Sequence, residues 1–65
     1  MTNADLIHAL ERSIAELVQE RQRLRGDGAP TPELERNRRE IVARQQELSD
    51  ALIEQYAPRV AFAAA

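Results

Sequence analysis

An imperfect internal repeat is the feature that most limits how this 65-residue chain can fold. Residues 10–24 (LERSIAELVQERQRL) recur after 24 residues as 34–48 (LERNRREIVARQQEL), with seven of fifteen positions identical. The turn-forming segment 26–30 (GDGAP) separates the copies. Two similar helical segments joined by one turn predict an all-α fold, an antiparallel two-helix hairpin with coiled-coil-like packing. Shared composition is the simpler explanation of the repeat, because both copies are rich in Glu, Arg, Gln and Leu.

Short motifs predict where each helix begins and ends. Thr2 and Asp5 have the spacing of a capping box, and Gly26 is expected to end the first helix in the left-handed conformation. Thr31 is expected to cap the second helix. Pro58 is expected to end it, because a residue before proline disfavours the helical conformation. The sequence thus predicts a hairpin at 1–57 (helix 1 about 3–25, turn 26–31, helix 2 about 32–57) and a flexible C-terminal tail at 58–65.

Apolar residues spaced alternately by three and four predict the contact between the helices. Folding at Gly28 and Ala29 pairs residues whose numbers sum to 58 or 59, as Leu17 with Ile41. The predicted contact row comprises Ile7, Leu10, Ile14, Leu17, Arg21 and Leu24 on helix 1, and Leu34, Arg38, Ile41, Gln45, Leu48 and Leu52 on helix 2. The same register sets opposite charges across from each other: Arg25 and Glu33, Arg23 and Glu35, Glu20 and Arg38, Arg12 and Glu47, His8 and Asp50.

Three members of the predicted contact row are polar. Arg21, Arg38 and Gln45 are expected to fix the register or the oligomeric state at some cost in stability. Glu20 and Glu35 are close enough in this register to neutralise the two arginines without a ligand.

Six other residues form a second apolar stripe beside the contact row: Leu6, Val18, Val42, Ala51, Ile53 and Tyr56. A stripe left open on so short a hairpin usually indicates that another helix covers it. We therefore predict a homodimer in which two hairpins form a four-helix bundle. A helix from a different protein is the alternative, and a monomer with a wide apolar side is the simplest possibility.

Charge is distributed unevenly along the hairpin. Residues 20–40, nearest the turn, contain six arginines and five acidic residues, whereas the rest of the chain contains three and six. Basic side chains near the turn are candidates for contact with an anion or with nucleic acid, RNA above all. The interleaved acidic residues and the net charge of −2 favour a solvated surface instead. The candidates are Arg21, Arg23, Arg25, Arg36, Arg38 and Arg39.

Composition and motifs restrict the function further. The chain has no cysteine, no Gly-rich phosphate loop and no nucleophile elbow. His8 has no second metal ligand at helical spacing except Asp5 or Glu11, so a surface histidine is expected. We therefore expect no enzymatic activity, no metal and no cofactor.

Localisation is predicted from what the sequence does not contain. No apolar run approaches the length of a membrane span, and no secretion leader opens the chain, so we expect a cytoplasmic protein. All nine basic residues are arginine, which is typical of a GC-rich bacterial genome. The three final alanines resemble tails that bacterial ATP-dependent proteases recognise. Docking of Val60 and Phe62 on the second stripe is the simpler interpretation of this tail.

Two families show a resemblance. Residues 46–56 (QELSDALIEQY) resemble the Ser-Gln-Glu-Leu-Asp segment of the small helical-hairpin phosphatases that act on sporulation response regulators. That resemblance implies a phosphatase-like activity using Asp50. Gln45 replaces the serine of the segment and Ser49 its aspartate, so Asp50 lies one residue late and about 100° around the helix. The size and layout are also similar to those of the plasmid RNA-binding repressor of primer, a dimer of hairpins.

The sequence is thus interpreted as a small non-enzymatic protein-interaction module. It would act as a regulator or accessory subunit that presents helix faces to a protein partner and homodimerises. An RNA-binding hairpin and a response-regulator phosphatase-like hairpin are the alternatives.

Overall fold

The computed structural model of the chain is a hairpin of two α-helices, α1 (Asn3–Gly26) and α2 (Thr31–Ala64). It describes the backbone of residues 2–64 and the side chains of residues 2–56. Over that backbone there is no strand, and the two helices pack side by side. Hydrogen bonds between the start of α1 and the later part of α2 show that the helices are antiparallel. The predicted all-α hairpin is confirmed.

The N-terminus of α1 is closed by the predicted capping box. The Thr2 hydroxyl oxygen accepts the backbone N–H of Asp5 at 3.1 Å, and the Asp5 carboxylate accepts the backbone N–H of Thr2 at 3.3 Å. These bonds satisfy two backbone donors that have no partner within the helix. Asp5 in the first turn and two arginines in the last turn, Arg23 and Arg25, also complement the helix dipole.

The turn depends on Gly28, whereas the sequence had indicated Gly26 as the left-handed residue. Gly26 remains helical, and Gly28 adopts a left-handed φ of 69°. The N–H of Ala29 donates to the Leu24 carbonyl at 2.8 Å, and the N–H of Gly28 donates to the Arg25 carbonyl at 3.2 Å. This pair of bonds is a Schellman motif, which gives the last carbonyls of α1 their partners.

Both predicted ends of the second helix need correction. Thr31 is its first helical residue, because the Pro30 carbonyl accepts the N–H groups of Glu33 at 3.0 Å and Leu34 at 3.3 Å. The helix passes through Pro58 and ends at Ala64. A proline inside a helix removes one backbone donor and crowds the carbonyl four residues before it, but the alanines around Pro58 have the highest helix propensity and favour continuation of the helix. The side chains predicted to dock from the tail, Val60 and Phe62, and the final Ala65 lie outside the described residues.

Few side chains are fully shielded between the helices. Among the side chains of residues 2–56, the buried apolar ones are Leu10 and Ala51, which are 6% and 4% exposed. The others that face the opposite helix are half-buried: Ile7, Ile14, Leu17 and Leu24 on α1, and Leu34, Ile41 and Leu48 on α2. The hydrophobic stabilisation of the lone hairpin is therefore small.

The contact row of α2 differs from the prediction at every second position. Asn37 and Ala51 are buried and Arg44 is half-buried, whereas the predicted Arg38, Gln45 and Leu52 are exposed. Counted from a contact residue, the positions three and four residues later lie on opposite sides of the contact line, so either one can continue the row. The prediction placed Leu52 in the contact row because it is apolar, and this put the row on the wrong side of the contact line. The small Ala51 and the hydrogen-bonding Asn37 occupy the contact instead.

The two glycines provide a matched test of the turn. Gly28→Ala should destabilise the fold by about 1–2 kcal/mol, because an L-residue is strained in the left-handed conformation. Gly26→Ala should stabilise it by about 0.4–1 kcal/mol, since a Cβ at this helical position meets no atom within 4 Å. Urea unfolding followed by circular dichroism measures both changes. Equal effects of the two substitutions would contradict this description of the turn.

Candidate interaction surface

One side of α2 carries no charged residue between Val42 and Tyr56. At 100° per residue, Val42, Ile53 and Tyr56 fall within an arc of about 60°, and Leu52 lies about 40° beyond Tyr56. The uncharged face of α2 is defined by the residues on or between these positions, together with Gln46 about 20° beyond Ile53. Its members are Val42, Gln45, Gln46, Ser49, Leu52, Ile53 and Tyr56. All seven side chains are exposed, and Ile53 and Val42 are 60% and 52% exposed.

The opposite side of α2 is charged. Glu40 and Val42 lie about 100° to either side of the contact residue Ile41. On the Glu40 side a groove of about 150 Å³ runs between the helices. It is lined by Glu20, Leu24, Glu33, Arg36, Asn37 and Glu40. The hairpin therefore has two unlike broad sides, one uncharged along residues 42–56 of α2 and the other charged near the turn.

The predicted second stripe is only partly a single surface. Leu6, Val18, Val42, Ile53 and Tyr56 are exposed, but Ala51 is buried against α1 and is removed from the stripe. In an antiparallel pair, the residue after a contact residue lies on the same side of both helices. Val18 therefore shares the side of Val42. Leu6 lies about 120° from Val18 around α1 and belongs to neither face.

A buried amide in the second turn of α2 joins the two helices. Asn37 is 5% exposed, and its side-chain N–H donates to the Leu17 carbonyl at 3.0 Å. Arg21 donates to the Leu34 carbonyl at 3.2 Å and to the Asn37 side-chain oxygen at 3.5 Å. Arg21 thus lies on the contact row as predicted. Asn37 and the backbone of α2, instead of Glu20 and Glu35, supply its acceptors.

A second amide joins the ends of the hairpin that lie away from the turn. The Asn3 side chain donates to the Ala51 carbonyl and to the Gln55 side-chain oxygen, both at 3.2 Å. Asn3 to Gln55 and Arg21 to Asn37 join residues whose numbers sum to 58, as predicted. The bonds from Asn3 to Ala51 and from Asn37 to Leu17 join residues whose numbers sum to 54, so each acceptor lies one helical turn from the predicted partner. Neither asparagine contact was predicted, because the contact row was identified from the spacing of apolar residues alone.

The close contacts between basic and acidic side chains within the described residues all lie within one helix. His8 lies 3.8 Å from Glu11, Arg38 lies 3.9 Å from Glu35, and Arg44 lies 3.0 Å from Glu47. These replace the predicted pairs of His8 with Asp50, Glu20 with Arg38, and Arg12 with Glu47. Residues three apart on a helix are already neighbours, so such pairs form without bringing two helices together.

The six arginines near the turn lie in different surroundings. Arg21 lies inside the hairpin, Arg38 pairs with Glu35, and Arg36 lines the charged groove with three glutamates. Arg23 lies beside Glu16 on the outer surface of α1. Arg25 and Arg39 are exposed. An RNA contact by these arginines stays a prediction.

Asp50, the residue on which the phosphatase-like alternative depends, is exposed on α2. Its carboxylate accepts a hydrogen bond from the Gln46 side chain at 3.1 Å. Over the described residues, no three His, Cys, Asp or Glu side chains are grouped so that they could hold a metal ion. Neither helix, over the same residues, has the length and apolar character needed to cross a membrane.

Comparison with protein-family models, with curated proteins and with solved structures finds no match for this chain.

Two neighbouring residues of α2 test the observed register. Asn37→Ala should cost about 1–2 kcal/mol, because it removes a buried hydrogen bond into α1 and leaves Arg21 with one acceptor fewer. Arg38→Ala, at the exposed position that the sequence had placed in the contact row, should change stability by less than about 0.5 kcal/mol. Thermal and urea unfolding by circular dichroism measure both. A larger loss of stability for Arg38→Ala than for Asn37→Ala would contradict the observed register and favour the one predicted from sequence.

Proposed function

We propose that the chain is a small non-enzymatic protein-interaction module, a regulator or accessory subunit that presents the uncharged face of α2 to a helix of a protein partner. The observation that carries this proposal is the exposure of four large apolar side chains along that face: Val42, Leu52, Ile53 and Tyr56. Single exposed apolar residues are ordinary on protein surfaces, whereas an aligned set of this size is typical of an interaction site. The proposal covers a helix from another protein and a helix from a second copy of the hairpin alike.

The spacing of the face suits a helix as the bound element. Val42, Ser49 and Tyr56 are separated by seven residues, and Gln45 and Leu52 lie three residues after the first two. This is the a/d spacing by which one helix packs along another. Tyr56 adds an aromatic side chain, a residue type that often carries a large share of binding energy in interfaces. Val18 lies on the same side of α1 and widens the surface, and the charged Glu11 and Arg25 flank it there, one heptad to either side.

The setting of Asp50 supports a non-enzymatic function. Its carboxylate lies on an open helix surface and is held by Gln46 from the same helix. General acid–base or nucleophilic chemistry depends on a partner group and a site that holds the reacting atoms in place. The contact to Gln46 supplies neither.

A photo-crosslinking side chain placed at two matched positions tests the proposal in the native cell. Ser49 lies at the centre of the uncharged face, and Gln19 is exposed on the outer side of α1. The label at Ser49 should form protein adducts of defined mass, because a bound helix would lie against it. The label at Gln19 should form few. Mass spectrometry identifies the adducts and distinguishes a second copy from another protein.

Adducts that are equally frequent at Ser49 and Gln19 would contradict the proposal, because they would show only random collision. Loss of the Ser49 adducts in a Val42→Glu background would connect them to the apolar side chains of the face.

A further inference from the structure

We infer that the helix covering the uncharged face of α2 belongs to a second copy of this chain, so that two hairpins stack face to face as a four-helix bundle. This inference rests on the proposed function, since it names the partner of the same face. Three properties of the hairpin support a second copy over a foreign helix: its surface area, the absence of charge on the face, and the small amount of apolar surface that the hairpin buries by itself.

The surface area of the hairpin exceeds that of a compact protein of its mass. The chain exposes 5208 Å², against about 4,200 Å² for a folded monomer of 7.4 kDa. Part of the excess lies where α2, with 34 residues, extends beyond α1, with 24 residues. The rest follows from a shape of 52 × 22 × 14 Å, which is one helix thick.

The excess of about 1,000 Å² includes the overhang of α2, so it is an upper limit on the area that stacking removes from each hairpin. If each hairpin lost roughly 600–1,000 Å² on stacking, the pair would bury about 1,200–2,000 Å², the range of specific and stable protein interfaces. The radius of gyration, 15.6 Å, is also larger than the value of about 11 Å for a compact domain of this length. Stacking of two hairpins on their broad sides would reduce both the excess surface area and the excess radius of gyration.

The absence of charge makes the face compatible with its own copy. A two-fold dimer brings the same surface patch of each subunit together, so each charge in the patch must meet an opposite charge of that patch or be repelled. The uncharged face of α2 avoids this repulsion, whereas the groove side, with three glutamates and one arginine, would bring together two patches of the same net charge. The amides of Gln45 and Gln46 are both donors and acceptors and can therefore pair with their own kind.

The hairpin needs a partner from the moment that the chain folds. Within the described residues, Leu10 and Ala51 are the buried apolar side chains, and there is no disulfide because the chain has no cysteine. A chain of this length with so small a core generally needs oligomerisation or a comparable support to be stable. A second copy is always available to a newly made chain, whereas a foreign helix depends on another protein.

Sedimentation equilibrium of the full chain tests the inference. Between about 5 and 500 µM, the wild type should approach twice its 7.4 kDa mass, and its melting temperature should rise with concentration. Ile53→Glu should raise the dissociation constant at least about 100-fold, because it brings a charge into the interface. Gln19→Glu, which adds the same charge on the outer side of α1, should behave as the wild type.

The wild-type measurement decides the outcome even if Ile53→Glu fails to fold. A wild type that is folded and monomeric at the highest concentration, with a melting temperature independent of concentration, would overturn the second copy. The photo-crosslinking label at Ser49 then separates the two proposals. Adducts with another protein would leave the interaction function standing, whereas no adducts would overturn both.

Discussion

Two helices can shield only the sides that face each other, and this constraint governs the whole molecule. In the hairpin each helix has one neighbour, so most residues of the contact row remain half-buried instead of buried. Burial of apolar surface is the dominant favourable contribution to folding, and it is limited here by geometry as much as by sequence. The large apolar side chains that α1 cannot reach stay on the uncharged face of α2. The surface proposed for interaction is thus a direct result of the same limit.

Polar contacts take a larger share of the structure where apolar burial is scarce. A row of aliphatic side chains packs almost equally well after a shift of one heptad, whereas a hydrogen bond to a defined carbonyl does not. Asn37 and Asn3 each reach a carbonyl of the opposite helix, Asn37 from the second turn of α2 and Asn3 from the end of the hairpin away from the turn. Together they fix the alignment of the helices at two separated points. Arg21 reinforces the first point through Leu34 and Asn37.

The fold was predictable from sequence because its strongest signals are local. The repeat, the turn segment and the capping box at Thr2 identify a hairpin without reference to packing. Choosing between Asn37 and Arg38 for the contact row required the rotation of α2 about its axis, which a change of one position alters by about 100°. The end of α2 was misplaced for a related reason, because the effect of Pro58 depends on the surrounding alanines. The predicted stripe overlaps the uncharged face only in part, because it included Ala51 and Leu6, which lie elsewhere, and because Leu52 was assigned to the contact row.

The bond from Asn37 to Leu17 joins a side chain of one helix to the backbone of the other, and this has an evolutionary consequence. The acceptor is a carbonyl that every residue type possesses, so substitutions at Leu17 keep the bond as long as α1 remains helical. Substitutions at Asn37 lose it, because few side chains combine a short reach with an amide donor. Selection on this contact would therefore act on one helix only. Position 37 of α2 would then tolerate fewer side chains than position 17 of α1, although both take part in the same bond.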